Sequence, residues 1–277
     1  MSRVAQITRH NVEEFQKMRF SRFAASTLAL LLFSAVASFG QTAPAQATPA
    51  KPKSTTAAKG PASSYDRALL KPDALKDVAP ATYQVKFETT RGDFTVTVTR
   101  AWAPIAADRF YNLVKHHYFD NARFFRVVPG FVVQFGLSAY PPVTAAWDKA
   151  TIKDEPVTQK NKRGTLTFAK TSMPDSRTTQ IFINLKDNSS SLDAQGFAPF
   201  GVVDGDGMKI VEMFYDQYGD SAGMDQANIE KLGEKYMAEK WPRLDQIKSA
   251  TIVGDTAAAK PSKPATSTKA VSGKPQP

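Results

Sequence analysis

The sequence predicts a mainly β fold, either a barrel or a sandwich. In short segments apolar and polar residues alternate with period two, turn residues separate most of these segments, and the segments recur at regular intervals. The chain has 277 residues, of which 42% are hydrophobic, which is enough for one well-packed core. We find no internal repeat.

The first predicted elements are a β-hairpin and a helix. Residues 83–89 and 94–98 alternate apolar and polar around a turn at 90–93. The period then changes, and Pro104 suits the first turn of a helix that we expect to cover an apolar opening of the sheet. The residues at helical spacing on its predicted inner face are Ala106, Phe110, Leu113, Val114 and His117.

Six more strands and two more helices are predicted downstream. The strand candidates are residues 123–128, 131–135, 164–169, 180–185, 200–203 and 249–253. A short helix is predicted at 208–214, after an Asp-Gly-Asp-Gly turn. A longer one is predicted at 225–239, with Ile229, Leu232, Tyr236 and Met237 on one face.

The two ends of the chain differ in composition from the middle. Residues 41–64 and 255–277 consist mainly of Ala, Pro, Lys, Thr and Ser, and such segments cannot bury enough apolar surface to fold. We therefore predict a signal peptide at 1–40, a disordered linker at 41–80, a folded domain at 81–254 and a disordered tail at 255–277.

Most of the formal net charge of +10 lies in these ends. Residues 1–64 contain eight Lys or Arg against two Glu, and residues 255–277 contain four Lys against one Asp. The predicted domain is therefore close to neutral, which argues against a nucleic-acid-binding domain. The basic tails are expected to be soluble spacers; binding to anionic wall polymers or lipid headgroups is the alternative.

The N-terminus has the pattern of a secretory signal. Lys17, Arg19 and Arg22 precede an apolar run at 23–36 that ends in small residues, with cleavage expected after Gly40 or after position 37. The run is short for a membrane span, so we expect export to the periplasm or cell envelope and no stable span after cleavage; an uncleaved inner-membrane anchor is the alternative.

The chemistry available to the chain is limited by its composition. The chain has no cysteine, which excludes disulfides, thiol catalysis, thiolate metal sites and a lipoprotein anchor. Its three histidines, His10, His116 and His117, are too few and too poorly spaced for a metal site. We expect neither a metal nor another cofactor.

Three motifs point to a function. Residues 124–136 read Phe-Phe-Arg-Val-Val-Pro-Gly-Phe-Val-Val-Gln-Phe-Gly, residues 179–183 read Thr-Gln-Ile-Phe-Ile, and residues 192–201 read Leu-Asp-Ala-Gln-Gly-Phe-Ala-Pro-Phe-Gly. Together they resemble the cyclophilin family of peptidyl-prolyl isomerases, and the similarity extends from about residue 83 to 253. The resemblance implies a closed eight-stranded antiparallel barrel capped by two helices, with an extra C-terminal helix as in the longer bacterial envelope members.

The resemblance also implies a reaction and a catalytic residue. Amide resonance gives an Xaa-Pro bond a rotation barrier of roughly 18–20 kcal/mol, and a fixed donor that prefers the twisted amide lowers it. No nucleophile is needed. Arg126 matches the family's catalytic arginine by its place in Phe-x-Arg-x-x-Pro-Gly-Phe, and its guanidinium offers several donors that never lose their charge.

The remaining matches are to substrate-binding positions. Phe131 and Phe182 match the rings that receive proline, and Gln134 and Gln180 match the groups that hold the substrate backbone. In a regular strand, Gln134 would face the same side as Val132 and the opposite side from Phe131. A pocket shared by Gln134 and Phe131 therefore requires a bend near residues 129–130. The other matches, to the apolar wall and the rim, are Val132, Leu192, Phe168, Ala169 and Phe197.

The sequence departs from the family pattern at three positions. Ser191 replaces a frequent Trp that is associated with cyclosporin binding, so weak drug sensitivity is expected. Phe197 stands where His is frequent and cannot donate a hydrogen bond, and Lys170 stands where Asn is frequent, at the edge of the groove.

The predicted function is isomerisation of proline bonds during the folding of exported proteins. The partners would be proline-containing unfolded or flexible polypeptides, bound by a monomer, without nucleic acid. A proline-recognising chaperone or scaffold with little turnover is the alternative, because the same pocket serves both. A third possibility is a module that binds anionic polymers through its tails.

Overall fold

The computed structural model describes residues 65–254, so the predicted signal peptide, most of the predicted linker and the whole predicted tail lie outside the described residues. Eight strands form one antiparallel sheet in the order β3-β4-β6-β5-β7-β2-β1-β8. The strands are β1 Thr82–Thr89, β2 Asp93–Thr99, β3 Arg126–Val128, β4 Val132–Phe135, β5 Thr165–Phe168, β6 Ile181–Asn184, β7 Pro199–Val203 and β8 Ile247–Ile252.

The sheet curls into a half-barrel around an aromatic core. Alternate residues of the β1–β2 hairpin face inward, and the rings of Phe87 and Phe94, which are opposite in the register, stack with centroids 4.9 Å apart. Phe110 and Phe135 pack against Phe87 from a helix and from β4. All eight predicted strands are present, within a few residues of their predicted ends.

The two edge strands, β3 and β8, lie near each other at one end. An isolated bridge pairs Arg123 with Gln246, just before each strand. The Ile247 N–H donates to the Ala122 carbonyl at 2.8 Å, and the Asn121 N–H donates to the Ile247 carbonyl at 2.8 Å. These bonds link the edges before the paired part of β3 begins.

Between residues 65 and 254, six α-helices accompany the sheet: α1 Pro104–Lys115, α2 Pro141–Trp147, α3 Ser189–Leu192, α4 Gly207–Val211, α5 Ser221–Met224 and α6 Gln226–Lys240. The predicted first helix is confirmed as α1, which packs on β7 and β8 with Phe110 and Leu113 fully buried. His117 is not on its face, because the helix ends at Lys115 and His117 has a positive φ of 58°.

The last predicted helix is present as α6, but it does not present one continuous face. Gly233 has φ 68° and ψ −150° and interrupts it. A methyl group at Gly233 would lie 2.7 Å from Pro141 Cδ, so the break lets α6 approach the start of α2 closely. Ile229 and Met237 are buried, whereas Leu232 is 46% exposed, contrary to the prediction.

The folded part of the chain begins before residue 81. Residues 65–80, which the composition assigned to the linker, include two 3-10 turns, Arg67–Leu70 and Pro72–Ala74. Leu69 is buried, and its carbonyl accepts a hydrogen bond from Trp147 Nε1 at 2.8 Å. Hydrogen bonds to α1 also hold this segment, including one from the Ala79 N–H to Asp108 Oδ1 at 2.9 Å. Local composition missed it because its order comes from contacts with α1 and α2 that are distant in sequence. Within residues 65–254 no helix has the length and apolar character needed to span a bilayer.

Candidate active site

Three neighbouring strands place the main predicted site residues in one row. In the register, Arg126 on β3 is opposite Gln134 on β4, and Gln134 is opposite Phe182 on β6. Directly opposed residues of antiparallel strands project from the same face, so these three side chains lie side by side. Residues separated by eight and by 48 positions in the chain thus meet through strand pairing alone.

An apolar cluster adjoins this row. It contains Val128, Phe131, Val132, Ala169, Phe182, Leu192 and Phe197, which we call the site cluster. Phe131 joins it because the chain bends at Pro129–Gly130: Gly130 has a φ of 67°, and the Phe131 N–H donates to the Val128 carbonyl at 3.0 Å. The predicted bend is therefore present. The Phe182 and Phe197 rings meet edge to face, with centroids 5.6 Å apart.

One predicted rim residue lies elsewhere. Phe168 is fully buried in the main core, where its ring packs on Phe200 with centroids 5.2 Å apart. Successive strand residues point to opposite faces, so Ala169 faces the site cluster and Phe168 does not. The assignment of Phe168 to the substrate groove is wrong for this reason, while that of Ala169 fits the geometry.

Arg126 is held by a carboxylate and an aromatic ring. Its side chain is 0% exposed, and its Nε donates to Asp220 Oδ1 at 2.5 Å. Its guanidinium carbon lies 5.6 Å from the centroid of the Phe131 ring. A buried guanidinium needs such a partner, because an uncompensated charge in an apolar site is very costly.

Three glutamines form a directed hydrogen-bond chain beside the arginine. Gln134 Nε2 donates to Gln180 Oε1 at 2.8 Å, and Gln180 Nε2 donates to Gln226 Oε1 at 2.9 Å. Gln134 Oε1 has no hydrogen-bond partner among residues 65–254. These hydrogen bonds fix the orientation of the side chains of Gln134 and Gln180, the two glutamines predicted to bind the substrate backbone.

A buried hydroxyl pair supports Gln180 from behind. Tyr118 Oη donates to Thr179 Oγ1 at 3.0 Å, and Thr179 Oγ1 donates to the Gly136 carbonyl at 2.9 Å. Burial raises the pKa of Tyr118 well above its ordinary value, so its hydroxyl stays protonated and remains a donor. These bonds fasten the segment before β6 to the end of β4.

Buried asparagines anchor the two aromatic walls of the site cluster. Asn161 Nδ2 donates to the Phe197 carbonyl and to Asp193 Oδ1, both at 2.8 Å. Asn188 Nδ2 donates to the Phe131 carbonyl at 2.9 Å and to Asn184 Oδ1 at 2.8 Å. The three asparagine side chains are at most 1% exposed. Asn161 thus holds the backbone of Phe197, and Asn188 holds the backbone of Phe131.

Arg177 supports Phe197 from the other side. Its guanidinium donates to the Gly196 carbonyl and pairs with Asp154. Burial lowers the pKa of Arg177 to about 10, so it is still cationic at neutral pH. Lys170 lies over the same ring, with Nζ 5.9 Å from the centroid of Phe197.

Several residues of the site could not be recognised from the sequence. Asp220 and Gln226 are 94 and 46 positions from their partners Arg126 and Gln180, and they lie in a segment with no motif of its own. Among the asparagine anchors, only Asn184 has a weak sequence signal, because it is a polar residue that directly follows the apolar residues of β6. Within the described part of the chain, no group of three or more histidines and carboxylates is placed to hold a metal ion.

The chain is similar to known proteins over its folded region. Residues 84–234 match the family model described as cyclophilin type peptidyl-prolyl cis-trans isomerase/CLD. A peptidyl-prolyl cis-trans isomerase of Acinetobacter baylyi is 37% identical over 178 residues, which cover 61% of this chain and 91% of that protein. Peptidyl-prolyl cis-trans isomerase B of Escherichia coli is 34% identical over 149 residues, covering 51% and 90%.

A solved structure was also found, a cyclophilin type peptidyl-prolyl cis-trans isomerase of Cryptosporidium parvum. It superposes with a TM-score of 0.45 and 20% identity, and the aligned part covers 62% of this chain and 97% of that one.

Proposed function

The chain belongs to the cyclophilin-type peptidyl-prolyl cis-trans isomerases, and from that premise we propose that it catalyses rotation about Xaa-Pro bonds of exported polypeptides through Arg126. The isomerase activity follows from the family, as does binding of proline-containing peptides. The site residues, the export and the folding role are the parts that we propose.

One observation carries the assignment of the site. The row of Arg126, Gln134 and Phe182 places a permanent cation, a neutral amide and an aromatic ring side by side on adjacent strands. A twisted prolyl amide has lost its resonance, so its nitrogen gains a lone pair that a cationic donor stabilises better than it stabilises the planar amide. Arg126 would supply that donor from a fixed, poorly solvated position.

The site cluster supports the role of the apolar residues. Phe131, Phe182 and Phe197 present three rings in one cluster, with Val132 and Leu192 between them. Such a wall suits a proline ring, and the glutamines beside it suit the flanking peptide groups. Gln134 Oε1 would accept a substrate N–H, and Gln180 would donate to a substrate carbonyl.

We also propose that the half-barrel is closed between β3 and β8. The bridge between Arg123 and Gln246 supports this, together with the hydrogen bond from the Phe124 N–H to the Asp245 carbonyl at 3.0 Å. Closure would hold β3, and with it Arg126, at a constant distance from the rest of the sheet.

Export rests on the basic and apolar pattern of residues 17–40. N-terminal sequencing of the protein recovered from cells should give a chain that begins close to residue 38 or 41. An intact N-terminus beginning at Met1 or Met18 would contradict cleavage of a signal peptide.

The folding role is tested by the refolding of an exported protein whose slow phase is limited by a trans-to-cis proline. Catalytic amounts of the purified protein should accelerate that phase, and the Arg126→Ala variant should not. If the wild type accelerates a short peptide but leaves the slow phase unchanged, the proposed folding role is contradicted while the isomerase activity stands.

A further inference from the structure

A short segment between α4 and α6 lies over the arginine side of the site. We call residues 216–224 the cover segment; it contains α5. Asp220 accepts the hydrogen bond from Arg126 Nε. A methyl group at Gly223 would lie 3.0 Å from Arg126 Cδ, so the backbone of this segment rests directly on the arginine's aliphatic stem. Arg126 is 0% exposed as a result, while the Asp220 side chain is 32% exposed.

A residue just after the cover segment also accepts a hydrogen bond from a predicted site residue. Gln226, at the start of α6, accepts from Gln180 Nε2 at 2.9 Å. The Nε–H of Arg126 and the amide of Gln180 are two of the donors that a substrate would use. In this structure each points at an oxygen of the chain itself.

The apolar part of the site is covered to the same degree. Phe131 is 2% exposed and Phe182 is 1% exposed. A proline ring has to contact these rings to be bound, and a peptide carbonyl has to replace Asp220 to reach Arg126. The arrangement is therefore a closed one, which a substrate has to open.

The cover segment is anchored at both ends by hydrogen bonds. On one side the Tyr215 N–H donates to Asp245 Oδ2 at 2.7 Å. On the other, Asp225 accepts from Tyr236 Oη at 2.6 Å and from Trp241 Nε1 at 3.1 Å. Burial raises the pKa of Asp225, but these hydrogen bonds outweigh it and lower the pKa below its ordinary value, which keeps the anchor ionised.

Between the two anchors only Ala222 and Gly223 are buried. Gly219 has a φ of 51° and forms a turn there, where the nearest atom to an added Cβ is the Asp216 carbonyl oxygen at 4.0 Å. Tyr218 packs edge to face on the rings of Tyr215 and Trp241, with centroids 4.9 Å and 5.1 Å apart. The rest of the segment has a glycine turn and few buried residues, which are features of a segment that opens locally.

We propose that Asp220 is an access-determining residue: its carboxylate is an internal acceptor that competes with the Xaa-Pro peptide for Arg126, and the cover segment leaves before substrate binds. This inference rests on the role proposed above for Arg126. It follows that the apparent affinity for peptide is the intrinsic affinity reduced by the fraction of open molecules.

The test is the Asp220→Asn variant, which keeps the shape and replaces a charge-assisted hydrogen bond by a neutral one. Asp216→Asn is the matched control, because Asp216 lies in the same segment and its carboxylate accepts only from the adjacent Gln217 in the contacts of the described residues. Rates are measured by NMR exchange on a short Ala-Pro peptide over a concentration series.

The competition predicts that KM falls by about tenfold in Asp220→Asn, the ratio expected between a charged and a neutral hydrogen bond, with kcat unchanged. Asp216→Asn should behave as the wild type. A fall in kcat at constant KM would overturn the proposal, because Asp220 would then be holding Arg126 in its productive orientation. Equal KM values in all three proteins would overturn it as well.

Hydrogen exchange in the wild type tests the displacement of the cover segment without a variant. The Met224 N–H donates to the Asp220 carbonyl at 2.8 Å inside the cover segment. Saturation with peptide should speed the hydrogen exchange of this amide if the segment is displaced; slower exchange would contradict displacement. Full catalysis in a folded Arg126→Ala variant would refute the role of Arg126 on which this inference rests. An Arg126-dependent wild type with a KM equal to that of Asp220→Asn refutes only this inference.

Discussion

The close approach between the end of β4 and the segment before β6 can be tested with one methyl group. Gly136 has a φ of 106°, which is unfavourable for residues with a side chain. A Cβ placed on it would lie 2.8 Å from Gln180 Cα and closer still to the Thr179 carbonyl oxygen. Both obstacles are backbone atoms, so no rotamer change can relieve them.

Gly136→Ala should therefore destabilise the protein through two separate terms. The positive φ costs about 1–2 kcal/mol for a residue with a Cβ. Forced displacement of packed backbone costs a further 1–3 kcal/mol or so. The sum is about 2–5 kcal/mol of unfolding free energy, and because Gln180 moves with the displaced backbone, KM for peptide should rise as well.

The control is Gly130→Ala, which separates the two terms. Gly130 also has a positive φ, of 67°, but nothing lies within 4 Å of a Cβ placed there. It should lose only the conformational term, about 1–2 kcal/mol. The assay is urea unfolding of both variants and the wild type, read from the midpoint at constant slope. If Gly136→Ala is no less stable than Gly130→Ala, the packing of β4 against Gln180 described above is incorrect.

Three further predictions concern pH, the aromatic wall and the asparagine anchors. Burial raises the pKa of Asp108, but hydrogen bonds, chiefly those from Arg100, lower it below 3.8 overall. The stabilisation from ionised Asp108 is present above pH 3.8 and is lost as the pH falls through the lower pKa of the folded state. The difference in unfolding free energy between wild type and Asp108→Asn, measured from about pH 7 to pH 2.5, should therefore shrink at the acidic end. A constant difference would contradict the pairing of Asp108 with Arg100. Phe182→Leu should change stability by under about 1.5 kcal/mol but lower kcat/KM by about tenfold, and equal peptide kinetics would remove Phe182 from the pocket. Asn161→Ala should lower the unfolding free energy by about 1–3 kcal/mol, because the Phe197 carbonyl loses a buried donor; an unchanged value would show that this anchor is dispensable.

Much of the fold could be predicted because its signals are local. The β1–β2 hairpin and α1 follow from period two, period 3.6 and a proline at a helix start, and these patterns depend only on neighbouring residues. The order of residues 65–80 could not be predicted, because Leu69 is ordered by contact with Trp147, 78 positions away. The break in α6 was missed for a similar reason, since Gly233 is required only by the closeness of α2.

Some residues of the site could also be predicted from local sequence, and others could not. Arg126, Phe131 and Gln134 occur within nine residues of one motif, so the sequence alone could bring them together. Phe168 was misassigned because a match to a rim segment does not say which of two adjacent residues faces the groove, whereas the pleat of β5 does. Asp220 had no signal at all, because its function depends on where its segment folds and not on its neighbours in sequence.

The most direct test of the account is the cis-to-trans rate of a short Ala-Pro peptide with the purified protein, measured beside its Arg126→Ala variant. The wild type should accelerate exchange, and the variant should lose about 10²–10³-fold of that acceleration while remaining folded by circular dichroism, which is the cost of removing one preorganised donor to the transition state. A folded variant that isomerises the peptide as fast as the wild type would show that Arg126 is not the catalytic donor.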